Sequence, residues 1–253
     1  MSGALDGKLA VVTGASEGIG FAIAERFVAE GADVVLMGRS QAKLDAAVAR
    51  LGRAARAVQG DASSPDDLAR LADDVRAHGR GVDVLVPNAG GGGTEHPLPD
   101  MTPEAFDAVA GLTFRGAYFT VQRMLPVLND GATIVLVGSI AGANGDAGHA
   151  VYNASKAAVR SLARTFTSDL RHRGIRVNAV SPGPTESVGF GDYISGGDAT
   201  RADEIRREIA AAVPVGRIGD PREVAAAVLF LASAESSFVA GVELVVDGGM
   251  SQV

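Results

Sequence analysis

The 253-residue sequence predicts an α/β fold: a doubly wound, seven-stranded parallel sheet with helices on both faces. Seven short runs rich in β-branched residues end in Gly, Asp, Asn or Ser, and segments with helical apolar spacing lie between them. The composition agrees. With 47% hydrophobic but only 5% aromatic residues, the core must consist of small aliphatic side chains, which suit helices packed closely on a parallel sheet.

The predicted strands are, in chain order, KLAVVTG, ADVVLMG, ARAVQGD, VDVLVPNAG, ATIVLVGS, IRVNAVSPG and VELVVDGG. Alternation of strands with helices implies right-handed crossovers and parallel pairing. Three helices are predicted to begin where a capping side chain precedes a proline, at Ser64-Pro65, Thr102-Pro103 and Asp220-Pro221. Because the chain has no repeat, low-complexity tract or Pro/Ser-rich linker, we expect one domain over residues 1–253.

The alternation is interrupted after the sixth predicted strand. The stretch from Pro182 to about Arg217 starts rich in Gly and polar residues, and Thr200 with Asp203 then has the pattern of a helix start. A tolerated surface insertion is one interpretation. We favour a substrate lid at about residues 184–216, since excursions beside the carboxyl end of a strand often cover ligands.

Composition excludes several function classes. The net charge is −7 with interspersed signs, which argues against a nucleic-acid surface. The absence of cysteine excludes a thiol nucleophile, disulfides and thiolate metal sites, and no His cluster has metal-ligand spacing, so we expect no metal. The N-terminus lacks a signal-peptide pattern and no apolar run is long enough to span a membrane, so we expect a cytoplasmic protein.

A glycine-rich turn, TGASEGIG, follows the first predicted strand and contains Gly14, Gly18 and Gly20. Glycines here permit a tight turn, close approach of the backbone to a pyrophosphate, and close packing of a helix whose first N–H groups bind the anion. Any tight strand-to-helix connection uses glycine. Its position after the first strand of an alternating, Rossmann-like fold nevertheless favours nucleotide binding.

The end of the second strand bears on the choice of cofactor. An acidic residue is expected there to bind a ribose 2′-hydroxyl, but Gly38, Arg39 and Ser40 occupy the place. Arginine pairs with a 2′-phosphate, which a carboxylate would repel. The sequence therefore favours NADP(H), with NAD(H) possible, although Glu17 adds an opposing charge and Arg39 is also compatible with a solvated position at a helix start.

Tyr152 and Lys156 are four residues apart in YNASK and share one face of a predicted helix. An ammonium beside a phenol favours the phenolate, so we expect Lys156 to lower the tyrosine pKa and make the phenol an acid or base near neutral pH. Ser139 ends a strand thirteen residues earlier, where its hydroxyl could hold a substrate oxygen. The alternative is an amphipathic helix with a surface tyrosine and a solvated lysine.

These motifs together resemble the short-chain dehydrogenase/reductases of the compact, single-domain type. The resemblance lies in TGASEGIG, NAG at 88–90, Ser139, YNASK and SPGPTES at 181–187, in this order, and extends to VDGG near the end. It implies an NAD(P)-dependent oxidoreductase acting on CH–OH or C=O groups, with Tyr152 as proton donor or acceptor. It also implies homotetramers or homodimers formed through the helices that contain Thr113 and Tyr152.

The resemblance further implies a cofactor site and a catalytic group. The catalytic group is Ser139, Tyr152, Lys156 and Thr113. The cofactor site comprises Gly14, Ser16, Gly18, Ile19 and Gly20 at the glycine turn; Arg39 and Ser40; Asp61 near the adenine; Asn88, Ala89 and Gly90 near the ribose; Tyr152 and Lys156; and Pro182, Gly183, Thr185 and Ser187 along the nicotinamide. A turn that caps the following helix is an equally good interpretation of Asp61.

Two positions depart from the family pattern. Pro87 stands where an Asn is frequent, and Thr113 stands where the family usually has an Asn that relays protons to the lysine. Threonine offers one hydroxyl in place of an amide, so we expect a weakened relay. His149, three residues before Tyr152, is interpreted as a pocket-wall or surface residue and not as a second base. The substrate is expected to be a small carbonyl or alcohol compound; an NAD-dependent alcohol or sugar dehydrogenase and a non-catalytic nucleotide sensor are the alternatives.

Overall fold

The structure, a computed structural model, describes residues 3–91, 95–187, 190–191 and 199–253. Its sheet has seven strands in the order β3-β2-β1-β4-β5-β6-β7, and every pairing is parallel. The strands are β1 Leu9–Thr13, β2 Asp33–Gly38, β3 Ala55–Gln59, β4 Val82–Val86, β5 Leu128–Val137, β6 Arg176–Pro182 and β7 Glu243–Val246. All seven predicted strands are therefore confirmed.

The helices cover both faces of this sheet. They are α1 Gly18–Ala29, α2 Gln41–Leu51, α3 Pro65–Ala77, α4 Pro103–Ala110, α5 Gly116–Met124, α6 Ala150–Leu170, α7 Ala199–Ala212 and α8 Pro221–Ala232. A π-helical turn, Gly111–Arg115, joins α4 to α5, so that residues 103–124 form one long helix. The three predicted capping residues Ser64, Thr102 and Asp220 each accept a backbone N–H at a helix start, which confirms that prediction.

The core consists of two apolar layers separated by the sheet. Alternate strand residues point to opposite faces. In β1, Ala10 and Val12 pack with α1 and α8, whereas Leu9 and Val11 pack with α3, α5 and α6. Strands buried on both faces explain the continuous aliphatic runs in the sequence.

The strand order reverses between β1 and β4, which are neighbours although two strands separate them in the chain. Crossovers leave this point in opposite directions, so a crevice forms at the carboxyl ends of β1 and β4. The glycine turn follows β1 and residues 88–90 follow β4. The fold thus brings two predicted motifs to the usual ligand crevice of a doubly wound sheet.

Part of the predicted lid lies outside the described residues, namely 188–189 and 192–198. Beyond it, α7 begins at Ala199, one residue before the predicted start. Thr185 pairs with Gly219 in an isolated parallel bridge, which closes the base of the excursion. Within the described part of the chain, no helix has the length and apolar character needed to cross a membrane.

Candidate active site

The turn between β1 and α1 requires glycine at three positions for different reasons. Gly14 and Gly18 have φ angles of 64° and 60°, in the left-handed region that side chains disfavour. A Cβ on Gly14 would also lie 2.9 Å from the Cα of Ala89. A Cβ on Gly20 would collide with the carbonyl oxygen of Gly14, so this glycine lets α1 pack closely on the turn.

The N-terminus of α1 fits an anion. Glu17 is the N-cap, but its side chain makes no capping hydrogen bond, and the first turn contains no acidic residue. The first N–H groups of a helix, here those of Gly18, Ile19 and Gly20, have no acceptor within the helix and carry its partial positive charge. The Glu17 carboxylate pairs instead with Lys43, whose Nζ lies 2.9 Å away. This ion pair offsets the negative charge of Glu17 at the helix N-terminus.

Asn88 supports the glycine turn from β4. Its Nδ2 donates to the carbonyl oxygens of Thr13 at 2.9 Å and Gly14 at 3.1 Å. The Thr13 hydroxyl in turn accepts the backbone N–H groups of Asn88 at 3.1 Å and Ala89 at 3.0 Å. The Asn88 side chain therefore shapes the glycine turn. Thr13, to which the sequence pattern assigns no role, joins the two strand ends.

The residues after β2 lie beside the same turn. Arg39 is exposed, and its carbonyl oxygen accepts Gln59 Nε2 at 3.0 Å. The Ser40 hydroxyl caps α2 by accepting the N–H of Lys43 at 3.4 Å, and its own hydrogen stays available to donate. The Ser16 hydroxyl oxygen lies 3.5 Å from where a Cβ on Gly38 would stand. Thus Ser16 from the glycine turn lies above the end of β2.

Asp61 takes part in a local turn. Its Oδ1 accepts both the backbone N–H of Ser63 at 2.8 Å and the Ser63 hydroxyl at 2.7 Å. Asp61 itself donates its N–H to Asp67 at 2.7 Å. These hydrogen bonds form a local turn of the kind that the alternative interpretation of Asp61 predicts.

Ser139, Tyr152 and Lys156 converge at the carboxyl end of β5. Lys156 Nζ lies 5.7 Å from the centroid of the Tyr152 ring, as expected for residues four apart on one helix face. The Ser139 hydroxyl hydrogen-bonds the Tyr152 phenol and accepts the N–H of Ala141 at 3.2 Å. Lys156 is only 5% exposed, so the alternative of a solvated lysine is wrong.

The prediction that the pKa of Tyr152 is lowered is wrong. Burial raises the pKa of the phenol, and the hydrogen bond with Ser139 opposes this only in part. Spacing placed an ammonium nearby, but loss of hydration destabilises the phenolate more than its neighbours stabilise it. Tyr152 is consequently protonated at neutral pH, as a proton donor should be.

Lys156 is held by the end of β5. Its Nζ donates to the Val137 carbonyl oxygen at 2.9 Å, and burial lowers the pKa of this ammonium to about 8. A Cβ on Gly90 would stand 3.4 Å from the same Nζ, so glycine at position 90 leaves room for the lysine. The NAG motif after β4 and the YNASK motif on α6 therefore meet at this nitrogen.

Thr113 lies in the π-helical turn and is 1% exposed. Its hydroxyl donates to the Gly91 carbonyl oxygen at 3.3 Å, and its Cγ2 lies 3.9 Å from the place of a Cβ on Gly90. The structure thus brings Thr113 to the segment that lies against Lys156. π-helical turns inside α-helices frequently occur at functional sites, because the extra residue redirects a side chain.

The segment after β6 crosses from the sheet to the glycine turn. Gly183 packs on Asp247, since a Cβ on this glycine would lie 2.6 Å from the Asp247 Cβ. The buried Thr185 donates its hydroxyl to the Gly183 carbonyl oxygen at 3.0 Å. Ser187 then reaches the other side of the crevice, where its Cβ is 3.4 Å from the place of a Cβ on Gly18. Pro182 is the last residue of β6.

The histidines lie outside the catalytic group. His78 and His172 are exposed, whereas His96 is partly buried and donates its backbone N–H to the Gly148 carbonyl oxygen at 2.9 Å. His149 is partly buried and contacts the Ala147 carbonyl oxygen through Nδ1 at 2.9 Å. Among the described residues, no group of three or more His, Asp or Glu side chains is arranged to hold a metal ion.

Known proteins resemble this chain over nearly its whole length. The family model described as enoyl-(acyl carrier protein) reductase matches residues 14–251. Oxidoreductase asL5 of Sarocladium schorii is 43% identical over 260 residues, which are 98% of this chain and 98% of the relative. Short chain dehydrogenase/reductase AacuN of Aspergillus aculeatus is 37% identical over 254 residues, covering 97% of this chain and 96% of the relative.

Solved structures show the same architecture. A short-chain dehydrogenase/reductase from Brucella melitensis, described as a glucose/ribitol dehydrogenase, has a TM-score of 0.91 and 33% identity, with 100% of both chains covered. Levodione reductase has a TM-score of 0.92 and 27% identity over 98% of both chains.

The fold and these relatives define an NAD(P)-dependent oxidoreductase that acts on CH–OH or C=O groups. The chain belongs to the short-chain dehydrogenase/reductase family.

Proposed function

We propose that this protein reduces the carbonyl group of a small molecule with NADPH, and that Tyr152 donates the proton. The observation that carries the proposal is the group of Ser139, Tyr152 and Lys156 at the carboxyl end of β5, next to the crevice, in which Ser139 and Tyr152 are half-buried and Lys156 is buried. A hydroxyl, a protonated phenol and a neighbouring ammonium are what a developing alkoxide needs: a hydrogen-bond donor, a proton and a positive charge.

In this mechanism the cofactor, when bound, supplies the hydride to the carbonyl carbon. The Ser139 hydroxyl donates a hydrogen bond to the substrate oxygen and orients it toward Tyr152. The Tyr152 O–H transfers its proton to this oxygen, which yields the alcohol and leaves a phenolate. Lys156 stabilises that phenolate electrostatically, because the ammonium is buried beside a half-buried phenol, where Coulomb interactions are stronger than in water.

Lys156 also links the reaction to a route for proton return. Its pKa of about 8 leaves the ammonium mostly charged at neutral pH but able to release a proton. The NAG segment lies against this nitrogen, and the Thr113 hydroxyl bonds to the next carbonyl oxygen along that segment, Gly91 O. We propose that Thr113 takes the place of the family's usual Asn in the proton relay, with one hydroxyl where an amide offers more partners.

The proposed cofactor site follows from the crevice. The first N–H groups of α1 would hold the pyrophosphate, with Gly14 and Ser187 on either side of the turn. Residues 88–90 would contact the ribose and Asp61 the adenine. Lys156 would bind the nicotinamide ribose, and the segment from Pro182 through Gly183 and Thr185 would line the nicotinamide.

The proposed preference for NADP(H) rests on the charged and polar side chains at the end of β2, where the 2′-hydroxyl of the cofactor's ribose is expected. Arg39 is exposed at the end of β2, and Ser16 and Ser40 lie beside it with hydroxyl groups. Glu17, the charge that opposes this preference in the sequence, forms an ion pair with Lys43. A 2′-phosphate bound beside Arg39 would therefore lie near cationic side chains and hydroxyl groups.

The cofactor preference is tested by titrating the protein with NADPH and NADH and following nucleotide fluorescence. We expect NADPH to bind at least about tenfold more tightly, and Arg39→Ala to remove most of this difference, since a charge-assisted hydrogen bond contributes about 1.5–3 kcal/mol. Lys8→Ala, at the opposite edge of the sheet, is the control. Equal affinities in the unchanged protein would favour the NAD-dependent alternative.

The substrate class rests on relatives. Solved relatives are named for levodione, for glucose and ribitol, and for gluconate, and the family model is named for an enoyl thioester. A panel of cyclic diketones, sugars and enoyl thioesters, assayed with both nucleotides, distinguishes a carbonyl reductase from a sugar dehydrogenase. Binding of nucleotide without hydride transfer to any member would favour a non-catalytic sensor. The intact proton donor argues against a sensor.

Two further expectations belong to the proposal. We propose a single domain with a substrate lid at about residues 184–216, of which 188–189 and 192–198 lie outside the described residues. The long helix of residues 103–124 exposes Phe106, Phe114 and Tyr118, with 49%, 37% and 39% of their surfaces accessible, which suits a homodimer or homotetramer built on this helix. Light scattering tests the assembly, and cell fractionation tests the cytoplasmic location.

A further inference from the structure

The chain between Ser139 and Tyr152 connects two residues of the candidate site. It starts with a short helical turn, Ile140–Gly142, that packs against α6, where a Cβ on Gly142 would lie 2.8 Å from the Ala157 nitrogen. Residues 144–149, named here the rim loop, come next and lead directly into α6. Both ends of this stretch carry a group of the proposed mechanism, so the rim loop borders the place where the substrate carbonyl reacts.

The rim loop is fastened to α6 by the side chain of Asn153. This side chain is 9% exposed, and its Nδ2 lies 3.3 Å from the Asn144 carbonyl oxygen. With the amide turned over, the nitrogen donates to His149 O at 3.3 Å and the oxygen accepts the N–H of Asp146 at 3.3 Å. In either orientation these partners belong to the rim loop. Asn153 is thus a buried polar residue whose hydrogen bonds fix a loop, one residue after the proton donor.

A second contact joins the rim loop to residues 95–97. The Gly148 carbonyl oxygen accepts the His96 N–H at 2.9 Å, and the Glu95 side chain packs directly on Gly148, where no Cβ would fit. Gly148 has a φ of 77°, which also favours glycine. The rim loop and residues 95–97 are therefore joined to each other at Gly148, and the rim loop is joined to α6 at Asn153. Together the two segments are called the wall.

We propose that Asn153 is a positioning residue that sets substrate selectivity by holding the rim loop at a fixed distance from the Tyr152 phenol. Adjacent residues on a helix point about 100° apart, so the Asn153 amide is directed away from the face shared by Tyr152 and Lys156. It acts on the loop and takes no part in proton transfer. This inference rests on the proposed function, because it assumes that a substrate is bound beside Tyr152.

The predicted consequence is a split between KM and kcat. Loss of the Asn153 hydrogen bonds frees the rim loop, which weakens substrate binding in ground state and transition state alike and leaves the proton-donating group in place. For Asn153→Ala we expect KM to rise about five- to tenfold for the preferred carbonyl substrate and kcat to stay within about twofold. Discrimination against bulkier carbonyl compounds should shrink by a similar factor.

The test combines hydrogen exchange with kinetics on the full-length protein. Asn153→Ala is compared with Asn129→Ala, an exposed asparagine far from the site. Exchange of the amides in residues 144–149 should accelerate by about tenfold in Asn153→Ala only, with the affinity for NADPH unchanged. Unaltered exchange in the rim loop, or a fall in kcat as large as that in kcat/KM, would overturn the inference.

Gly148→Ala tests the same wall from its other side. An added Cβ meets Glu95 and is strained at positive φ, so this variant should show the same rise in KM without a loss of kcat. This variant replaces Asn153→Ala as the test if that protein folds poorly. A normal KM in a folded Gly148→Ala protein would contradict the proposal. Failure of the proposed function is distinguishable, because it appears as absent turnover in the unchanged protein, while the exchange result does not depend on turnover.

Discussion

Lys156 and Arg176 are two cations whose pKa is lowered by loss of hydration, yet the protein treats them differently. Arg176 begins β6 and donates to five acceptors: Ser236 Oγ and Val239 O through Nη1, and Thr133 Oγ1, Leu231 O and Ser233 O through Nη2, all at 3.0–3.2 Å. Lys156, at the other end of the sheet, has one hydrogen bond among the described residues, to Val137 O.

The difference separates structural from chemical cations. Arg176 satisfies nearly all its donors and joins β5, β6 and the turn after α8, so its charge serves the fold. Lys156 is buried with few partners, at a cost in stability that a purely structural lysine would not need. The coordination of a buried cation is therefore a guide to its role.

Replacing Lys156 should give the largest effect. In Lys156→Met we expect kcat to fall by at least about 100-fold, since the phenolate left by proton transfer loses its stabilising charge. The free energy of unfolding should stay equal or rise, because a poorly solvated ammonium is removed. Steady-state kinetics and urea denaturation measure both. Lys8→Met, whose exposed lysine pairs with Asp83, is the control.

Replacing Arg176 should have the opposite profile. Arg176→Met leaves five oxygen acceptors without their donor, so the free energy of unfolding should fall by about 3 kcal/mol. The kcat of the folded protein should change by less than about threefold, because the site lies at the other end of β6. Arg222→Met, at an exposed ion pair, should cost under about 1 kcal/mol. A stable Arg176→Met protein with lost activity would reverse the comparison.

The lowered pKa of Lys156 predicts a pH dependence of stability. Between about pH 10.5 and pH 8 the unfolded chain binds a proton on this lysine and the folded chain does not, so the free energy of unfolding decreases as pH falls through this window. Below about pH 8 both states are protonated and the contribution is constant. Relative to Lys156→Met, the loss should be about 3 kcal/mol at most. Denaturation of both proteins at pH 8 and pH 10 measures it, and a pH-independent difference would refute the pKa.

The smallest effect is expected at Thr113. Thr113→Asn restores the amide that the family usually has, so turnover should rise about two- to fivefold if the proton relay limits the rate. The conservative Thr113→Ser, which keeps the hydroxyl, is the control. A threonine elsewhere on the helix, Thr120, is not a suitable control position, because it is buried and donates its hydroxyl to Gly116 O. Unchanged turnover in Thr113→Asn would count against a weakened relay.

Much of the fold could be predicted because its signals are local. Each strand is a β-branched run, and each capping pair, such as Ser64 with Pro65, fixes a helix start without tertiary context. The helical spacing of Tyr152 and Lys156 predicted their shared face, and the place of Ser139 at a strand end predicted its position at the ligand edge, whereas their convergence was an implication of the family resemblance.

What could not be predicted depends on burial and on contacts between distant segments. Spacing placed Lys156 near Tyr152, but the sign of the phenol's pKa shift depends on how much water the fold excludes. The inward direction of the Asn88 amide and the π-helical turn at Thr113 depend on packing against other segments. Asn153 has no sequence signal of its own, because its partners are backbone atoms.

The central claim is that Tyr152 is the proton donor, and rapid-mixing measurement of a single turnover tests it most directly. With saturating NADPH and substrate, Tyr152→Phe should bind nucleotide normally and transfer hydride at least about 100-fold more slowly than the unchanged protein. Tyr118→Phe, which alters a partly exposed tyrosine on α5, should react at the normal rate. Normal hydride transfer in Tyr152→Phe would contradict the account.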